Sequence, residues 1–434
     1  MSKIIYLLCL LFLSMSCAKD YIEKPSDESS SIAAIELVST YTSVDFSEFN
    51  IKYNRNDILQ VQIRREPNET PLTVYDGDLV ILDTTFQTHY MDYKKNIDEP
   101  SLNPNRDYYY SIFYKADSVD SLPVRVQDFK IQTLSYQQGM LQLYSELIDY
   151  SKSKNSSLEF IVSTEWMGLF YDDVGQPTQA ISDASFMLKF DGVLVPELKY
   201  KKTDAAQDLD QLNQNHVLME NLVSTKKVLA VDYVSKSNGV GLSASQVNFS
   251  NRGIIGFNRP SSNVNLFNEL SPVINEDENT SIASIKDEGF KNFIFLDTPV
   301  DNLLTSLHGT NYDLIIMSPF KSAPWSSFND LYSVAEVTSL KRKSNTEAKG
   351  ARLVFAYIDV SRVWKDAYYW QALWNEEVTR PKWIDRNVET NSNDYYVKYW
   401  RNDWKNILKP MLDKVIVRGY DGVVFGGGES FTKF

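Results

Sequence analysis

The chain of 434 residues contains two cysteines, Cys9 and Cys17, and both fall within its first seventeen residues. Nothing after them supplies a thiol, so the body of the protein can build neither a disulfide framework nor a cysteine-based redox or metal site. Histidine is almost as scarce. His89, His216 and His308 stand far apart without ligand spacing, which argues against a zinc centre. Positive charge is outnumbered, with 44 Lys and Arg against 57 Asp and Glu and a formal charge of −13. Nucleic-acid backbones need clustered cations, so no nucleic-acid partner is expected. No Gly-Lys-Ser/Thr phosphate loop and no Ser-His-Asp motif context occurs, and no cofactor is implied. Beyond the N-terminus, no apolar run is long enough to span a membrane.

The N-terminus itself is of another kind. Lys3 gives a short positive start, Ile4 to Leu13 an apolar stretch, and Ser14-Met15-Ser16 a flexible passage before Cys17. That is the pattern of a secretory signal over residues 1–17. It resembles a bacterial lipoprotein signal, although Leu13 stands one place earlier than is usual. Residues 18–31 are charged, Ser-rich and include Pro25, the composition of a flexible tether. Acidic residues soon after the cysteine resemble the export signal of surface lipoproteins in the Bacteroidota. These resemblances imply lipidation at Cys17 and anchoring to the outer membrane at the cell surface, with the membrane as one partner.

Residues 32–133 read as short alternating strands punctuated by turns. Ile58 to Ile63 alternates, Asp76-Gly77-Asp78 turns, and Tyr108 to Phe113 alternates again. The order Arg64-Arg65, Val74 to Gly77, then Asn105-Arg106-Asp107 before the Tyr run resembles a fibronectin type III β-sandwich, which implies a spacer. Residues 134–434 change rhythm. A helix is predicted over Tyr136–Lys152, followed by eight short apolar strands: Leu158–Ser163, Gly192–Val195, Val228–Val231, Gly253–Gly256, Asn292–Leu296, Leu314–Met317, Val354–Ile358 and Gly422–Phe425. Alternation of such strands with helical segments predicts a (β/α)8 TIM barrel. The leading helix is expected to cover the last strand, because almost nothing follows it.

The closing stretch, from Tyr395 to Phe431, reads YYVKYWRNDWKNILKPMLDKVIVRGYDGVVFGGGESF. It resembles the end of the endo-α-1,4-polygalactosaminidase-like glycoside hydrolases, glycoside hydrolase family 114, in which an aromatic element leads through a helix into G-F-D-G-V-Y-L-D. Val397 to Trp400, Trp404 and Gly419 to Val423 carry the match. Other family segments appear in exchanged order. Ile161 to Leu169, Asp191 to Tyr200 and Val231-Asp232-Tyr233 match late segments of the family. Tyr312 to Ile316 and Ala356 to Asp359 match early ones. The resemblance therefore implies a circularly permuted barrel, cut between the family's fourth and fifth strands.

It also places three family acids on residues that are not acids: Ser318, Arg362 and Gly426. None of these can donate a proton at neutral pH. Other acids remain at predicted strand ends, namely Glu165, Glu197, Asp232, Asp297, Asp359 and Glu429. Two carboxyl groups are the usual requirement of glycoside hydrolysis. Aromatic residues expected at the mouth include Trp166, Tyr233, Phe257, Trp325, Tyr357 and Trp364, whose faces suit sugar rings. The Gly426 to Gly428 run is expected to widen the mouth. The expectation is a carbohydrate-binding barrel, for a polysaccharide or oligosaccharide, that has lost the inherited mechanism. Its sugar contacts would be Trp166, Tyr233, Tyr357, Trp364 and Glu165. The alternative is an active glycoside hydrolase with relocated carboxylates, led by Asp359 and Glu197 with Asp232 beside them. A purely structural adhesin ranks third.

Overall fold

A computed structural model describes residues 35–434, apart from 44–46, 55–57, 68, 73–74, 77, 86, 93–101, 117–122, 172–183, 203–204, 236, 260–279, 301, 308–309, 323–324, 344–349 and 389–390. The predicted signal and tether, Cys17 included, and His308 lie outside those residues. The chain divides into two compact units, the first formed by residues up to 131 less two interludes and the second holding the rest.

The first unit carries strands β1 (Ile35–Thr42), β2 (Ser47–Tyr53), β3 (Ile58–Glu66), β4 (Asp78–Asp83), β5 (His89–Asp92), β6 (Asp107–Ala116) and β7 (Val124–Gln132). They form one sheet in the order β1-β2-β5 and another in the order β4-β3-β6-β7. Alternation explains the layering. On β2, Ser47, Phe49 and Ile51 turn inward while Glu48, Asn50 and Lys52 do not. Phe49 meets Tyr110 of the other sheet edge-on at 5.1 Å, and Tyr110 stacks on Phe129 at 4.9 Å. Aromatic residues thus fill the space between two half-polar sheets.

The second unit opens with α1 (Tyr136–Lys154), started by a capping box in which Ser135 and Gln138 exchange backbone and side-chain hydrogen bonds. Its inward face carries Met140, Leu143, Tyr144 and Leu147, at helical spacing. Eight parallel strands follow: β8 (Glu159–Ser163), β9 (Gly192–Pro196), β10 (Lys227–Tyr233), β11 (Ile255–Arg259), β12 (Phe293–Leu296), β13 (Leu314–Met317), β14 (Leu353–Asp359) and, after a three-stranded insertion, β18 (Gly422–Gly426). Their order is β11-β10-β9-β8-β18-β14-β13-β12. This is a nearly closed barrel, and each predicted strand has its counterpart in it. Nearly every strand residue is buried, which is why these segments read as continuous apolar runs rather than alternating ones.

No ladder joins β11 to β12 among the described residues, so the barrel has a seam there. Side chains hold it instead. Phe257 packs on Phe293 with ring centroids 5.8 Å apart, and Arg259 donates to Asp297 at 2.9 Å. The last strand is covered from the front of the unit, as expected: the Tyr144 ring of α1 lies 6.0 Å from that of Phe425. Helix α1 is in turn tied to the helix Asn402–Val417 by Tyr150 donating to Asp413 and by Lys405 pairing with Glu146. The antiparallel insertion, β15 (Arg362–Trp364), β16 (Ile384–Val388) and β17 (Asn391–Val397), orders as β15-β17-β16 and was not expected from the sequence.

Candidate functional site

In a parallel barrel the C-terminal strand ends form the mouth, and five carboxylates gather on them. Glu165 follows β8, Glu197 follows β9, Asp297 follows β12, Asp359 ends β14 and Glu429 follows β18. Their local frames are fixed. Asn215, fully buried on the helix Leu209–Val223, donates to the Glu165 carbonyl at 3.2 Å and accepts from Met167 N at 3.0 Å. Glu197 sits in the left-handed region at φ 56°, an uncommon state for a residue with a Cβ. Gln207 donates to its carbonyl at 3.1 Å. Glu429 rides on a short 3-10 turn, Gly428–Lys433, entered through Gly427 at φ 86°.

The cations distribute unevenly among these acids. Arg362 donates through Nε and Nη2 to Asp359 Oδ2 at 2.8 and 2.6 Å, while Ser361 supplies two bonds to Oδ1. Arg362 therefore ties up Asp359, the acid expected to lead the alternative hydrolase mechanism. Lys202 lies 3.8 Å from both Glu197 and Asp297, and Arg259 adds its own bond to Asp297. Burial raises the Asp297 carboxyl, but Arg259 and Lys202 outweigh it and hold the group below the usual range. Burial raises Glu197, with Lys202 pulling the other way. Among the described residues, no cation pairs with Glu165 or Glu429. Burial and the Glu165 carboxylate push Glu429 up to about 7, with Asp359 adding to the rise and Arg362 opposing it. Glu165 is raised by burial first and by Glu197 second.

Asp232 is not at the surface of the mouth. It is fully buried and accepts from the backbone N–H of Lys199 and Tyr200 and from the Ser245 hydroxyl. Its raised pKa comes from that burial. The carboxylate fixes the loop after β9, a structural task that leaves no face for substrate. Tyr233 is likewise enclosed, 1% exposed beneath Lys202 and Arg259, so its ring offers no free face for a sugar. Trp166, Tyr357 and Trp364 remain half-buried. Trp166 stacks on Phe431 at 5.5 Å, Trp364 stacks on Trp325 at 6.0 Å, and Tyr357 meets Phe295 edge-on at 5.3 Å.

The glycine run does not widen the mouth. A Cβ on Gly426 would stand on the Tyr357 hydroxyl, one on Gly427 would meet Ser361 Oγ and reach within 2.8 Å of Asp359 Oδ1, and one on Gly428 would come within 2.8 Å of the Ser163 carbonyl. The neighbours have closed in on the bare backbone. Tyr357 now fills the space into which a side chain at position 426 would project. Ser318, at the end of β13, is buried and accepts from Phe320 N at 3.3 Å. Phe431 and Tyr144 escaped the sequence reading: the first lies beyond the last strand, and the second is a helix residue whose pattern marks only core.

No family model matches the chain. An uncharacterised protein of Methanocaldococcus jannaschii is 30% identical over 129 residues, which is 30% of this chain and 34% of that protein. The chain thus spans about a third of the relative it matches. Among solved structures, a family 123 glycoside hydrolase from Clostridium perfringens involved in glycolipid glycan hydrolysis aligns over 86% of this chain and 82% of its own. Its identity is 10% and its TM-score 0.24. A β-1,2-glucanase from Parabacteroides distasonis covers 29% of this chain and 16% of its own at 13% identity and TM-score 0.19. At such scores neither likeness carries an argument about function.

Proposed function

We propose that the barrel mouth binds a polysaccharide or oligosaccharide and that the mechanism implied by the family resemblance is gone. The observation that carries this is the pairing of Arg362 with Asp359 beside Gly426, under a rim of half-buried aromatic faces. Two of the positions at which the resemblance expects acids have become parts of a closed structural network. The aromatic faces and spare carboxylates that recognise sugar hydroxyls and ring C–H surfaces are still there.

The permuted order is part of the same reading, and the seam supports it. In a permutant cut between the family's fourth and fifth strands, the old chain ends would be rejoined between β11 and β12, where the barrel lacks a ladder. We read the first unit as a fibronectin type III-like spacer, in keeping with its three- and four-stranded sheet orders. We read the N-terminus as a lipoprotein signal that anchors the protein at the cell surface through Cys17.

Binding is tested by titrating the purified protein with a panel of neutral, N-acetylated and amino-sugar oligosaccharides. Saturable binding that weakens about tenfold or more in Trp166→Ala or Trp364→Ala is the expected result. Binding that neither substitution touches would move the site elsewhere. Lipidation is tested separately, by palmitate labelling that should disappear in Cys17→Ser.

A further inference from the structure

We propose that the outer wall of the barrel carries a second binding site, a cavity between the helices Leu209–Val223 and Gly239–Ser250 that takes a small hydroxylated monocarboxylate of the kind a sugar acid presents. The proposal does not depend on the reading of the mouth.

The two helices lead into and out of β10, and the connecting helices of a parallel barrel pack on its outside. Between them lies a cavity of ≈ 560 Å³, a size that suits a small-molecule ligand. Helical spacing builds its walls. Ala244, Val247 and Asn248 share one face of the second helix, and Glu220 and Val223 share one face of the first. Lys199, from the loop after β9, and Arg252, just past the second helix, add two cations to the lining.

The charges decide what the cavity takes. Arg252 donates through Nη1 to Glu220 Oε1 at 2.7 Å, but that carboxylate is 63% exposed, so the pair is weak. Lys199 Nζ donates to the Ala244 carbonyl at 3.2 Å and forms no ion pair among the described residues. Two cations against one carboxylate leave the cavity with one positive charge, which matches a monoanion. A dianion such as phosphate would set its second charge against Glu220.

Asn248 supplies an independent observation. Its Nδ2 is buried and has no hydrogen-bond partner among the described residues. A buried N–H without an acceptor is rare and marks a place where a ligand oxygen can be received. On the other helix His216, one turn before Glu220, is also buried, and its Nε2 equally lacks a partner. Burial lowers its pKa to about 4, with Arg252 and Lys199 adding to the fall and Glu220 opposing it. The imidazole is therefore neutral near pH 7 and adds a polar nitrogen, not a third cation. Val223 and Val247 leave an apolar strip for the C–H face of a ligand. One net cation, neutral polar nitrogens and an apolar strip together describe a carboxylate on a short hydroxylated carbon frame.

The test titrates D-glucuronate into the full chain by calorimetry, with D-glucose and inorganic phosphate as comparison probes. Glucuronate should bind saturably and more tightly than either. Lys199→Met, checked for wild-type thermal unfolding, should weaken it about tenfold or more, the loss expected for a hydrogen bond to a charged group. Glu220→Gln should tighten it by about two- to fivefold, because it removes the opposing charge and releases Arg252. A gain of that kind cannot come from damaged folding. Glucose binding as tightly as glucuronate, or a Lys199→Met protein that binds glucuronate normally, overturns the proposal. Tighter binding of phosphate overturns it by assigning the cavity to a dianion. Weakening by Trp166→Ala in place of Lys199→Met overturns it by moving the sugar acid to the mouth. Binding of none of the three probes overturns it as well and leaves the reading of the mouth to its own oligosaccharide titration.

Discussion

At position 426 the bare backbone and the placement of Tyr357 go together. Glycine there is demanded by contact rather than by backbone angle, because a Cβ would stand on the Tyr357 hydroxyl. An aspartate placed there should therefore overpack the site. Gly426→Asp is expected to cost about 1–3 kcal/mol from overpacking. Adding Tyr357→Ala should return part of that loss, and a double-mutant cycle by urea unfolding measures the coupling. Additive costs would show that the two residues do not share the space. His216 illustrates a second residue effect. It is 6% exposed, its Nε2 lacks a partner, and burial lowers its pKa to about 4. The folded state then binds fewer protons than the unfolded chain between about pH 6.5 and 4. Stability present above pH 6.5 should fall by on the order of 2 kcal/mol as the pH drops through that window. Replacement by Gln should flatten this part of the stability curve.

Among elements, the N-terminal ends of the barrel strands hold the strongest structural ties. Asp313, entering β13, accepts from the N–H groups of Lys291 and Asn292 and pairs with Lys343 Nζ at 2.6 Å, both side chains having no exposed surface. Asp313→Asn leaves a buried ammonium unpaired and should cost about 3–5 kcal/mol in urea unfolding. A cost below about 1 kcal/mol would mean the site rehydrates. Arg352, before β14, donates to the carbonyls of Leu307 and Leu340, the last residues of two short helices, and to Thr310 and Arg342. The guanidinium takes the place of the water those helix ends would otherwise need. These elements were legible to different degrees. All eight barrel strands could be read because burial on both faces leaves an apolar run bounded by polar residues. The insertion β15-β17-β16 could not: Asn391–Val397 reads as a polar-to-aromatic passage, and its partners lie up to 34 positions away. The site divides the same way. Strand ends marked Glu165, Glu197, Asp359 and Glu429, but only contacts show that Arg362 holds Asp359 while Asp232 serves the backbone.

For the whole barrel unit, the seam is the feature that sets how the fold opens. Seven ladders run from β11 round to β12, and no ladder closes the eighth position among the described residues. Closure there depends on the Phe257–Phe293 contact and the Arg259–Asp297 bond. A backbone edge without ladder bonds opens at lower free energy than one with them, since local opening is governed by the contacts that must be broken. Amide hydrogen exchange should therefore be faster in β11 and β12 than in β8, β18 and β14, which have neighbours on both sides. Arg259→Met tests the staple. Asp297 is 18% exposed and keeps Lys202 nearby, so the loss should be smaller than for a fully buried pair, about 2 kcal/mol, or roughly thirtyfold in opening. The increase should be confined to the two seam strands. Equal acceleration around the ring would show instead that the barrel opens as one unit, and that its missing ladder is no weak point.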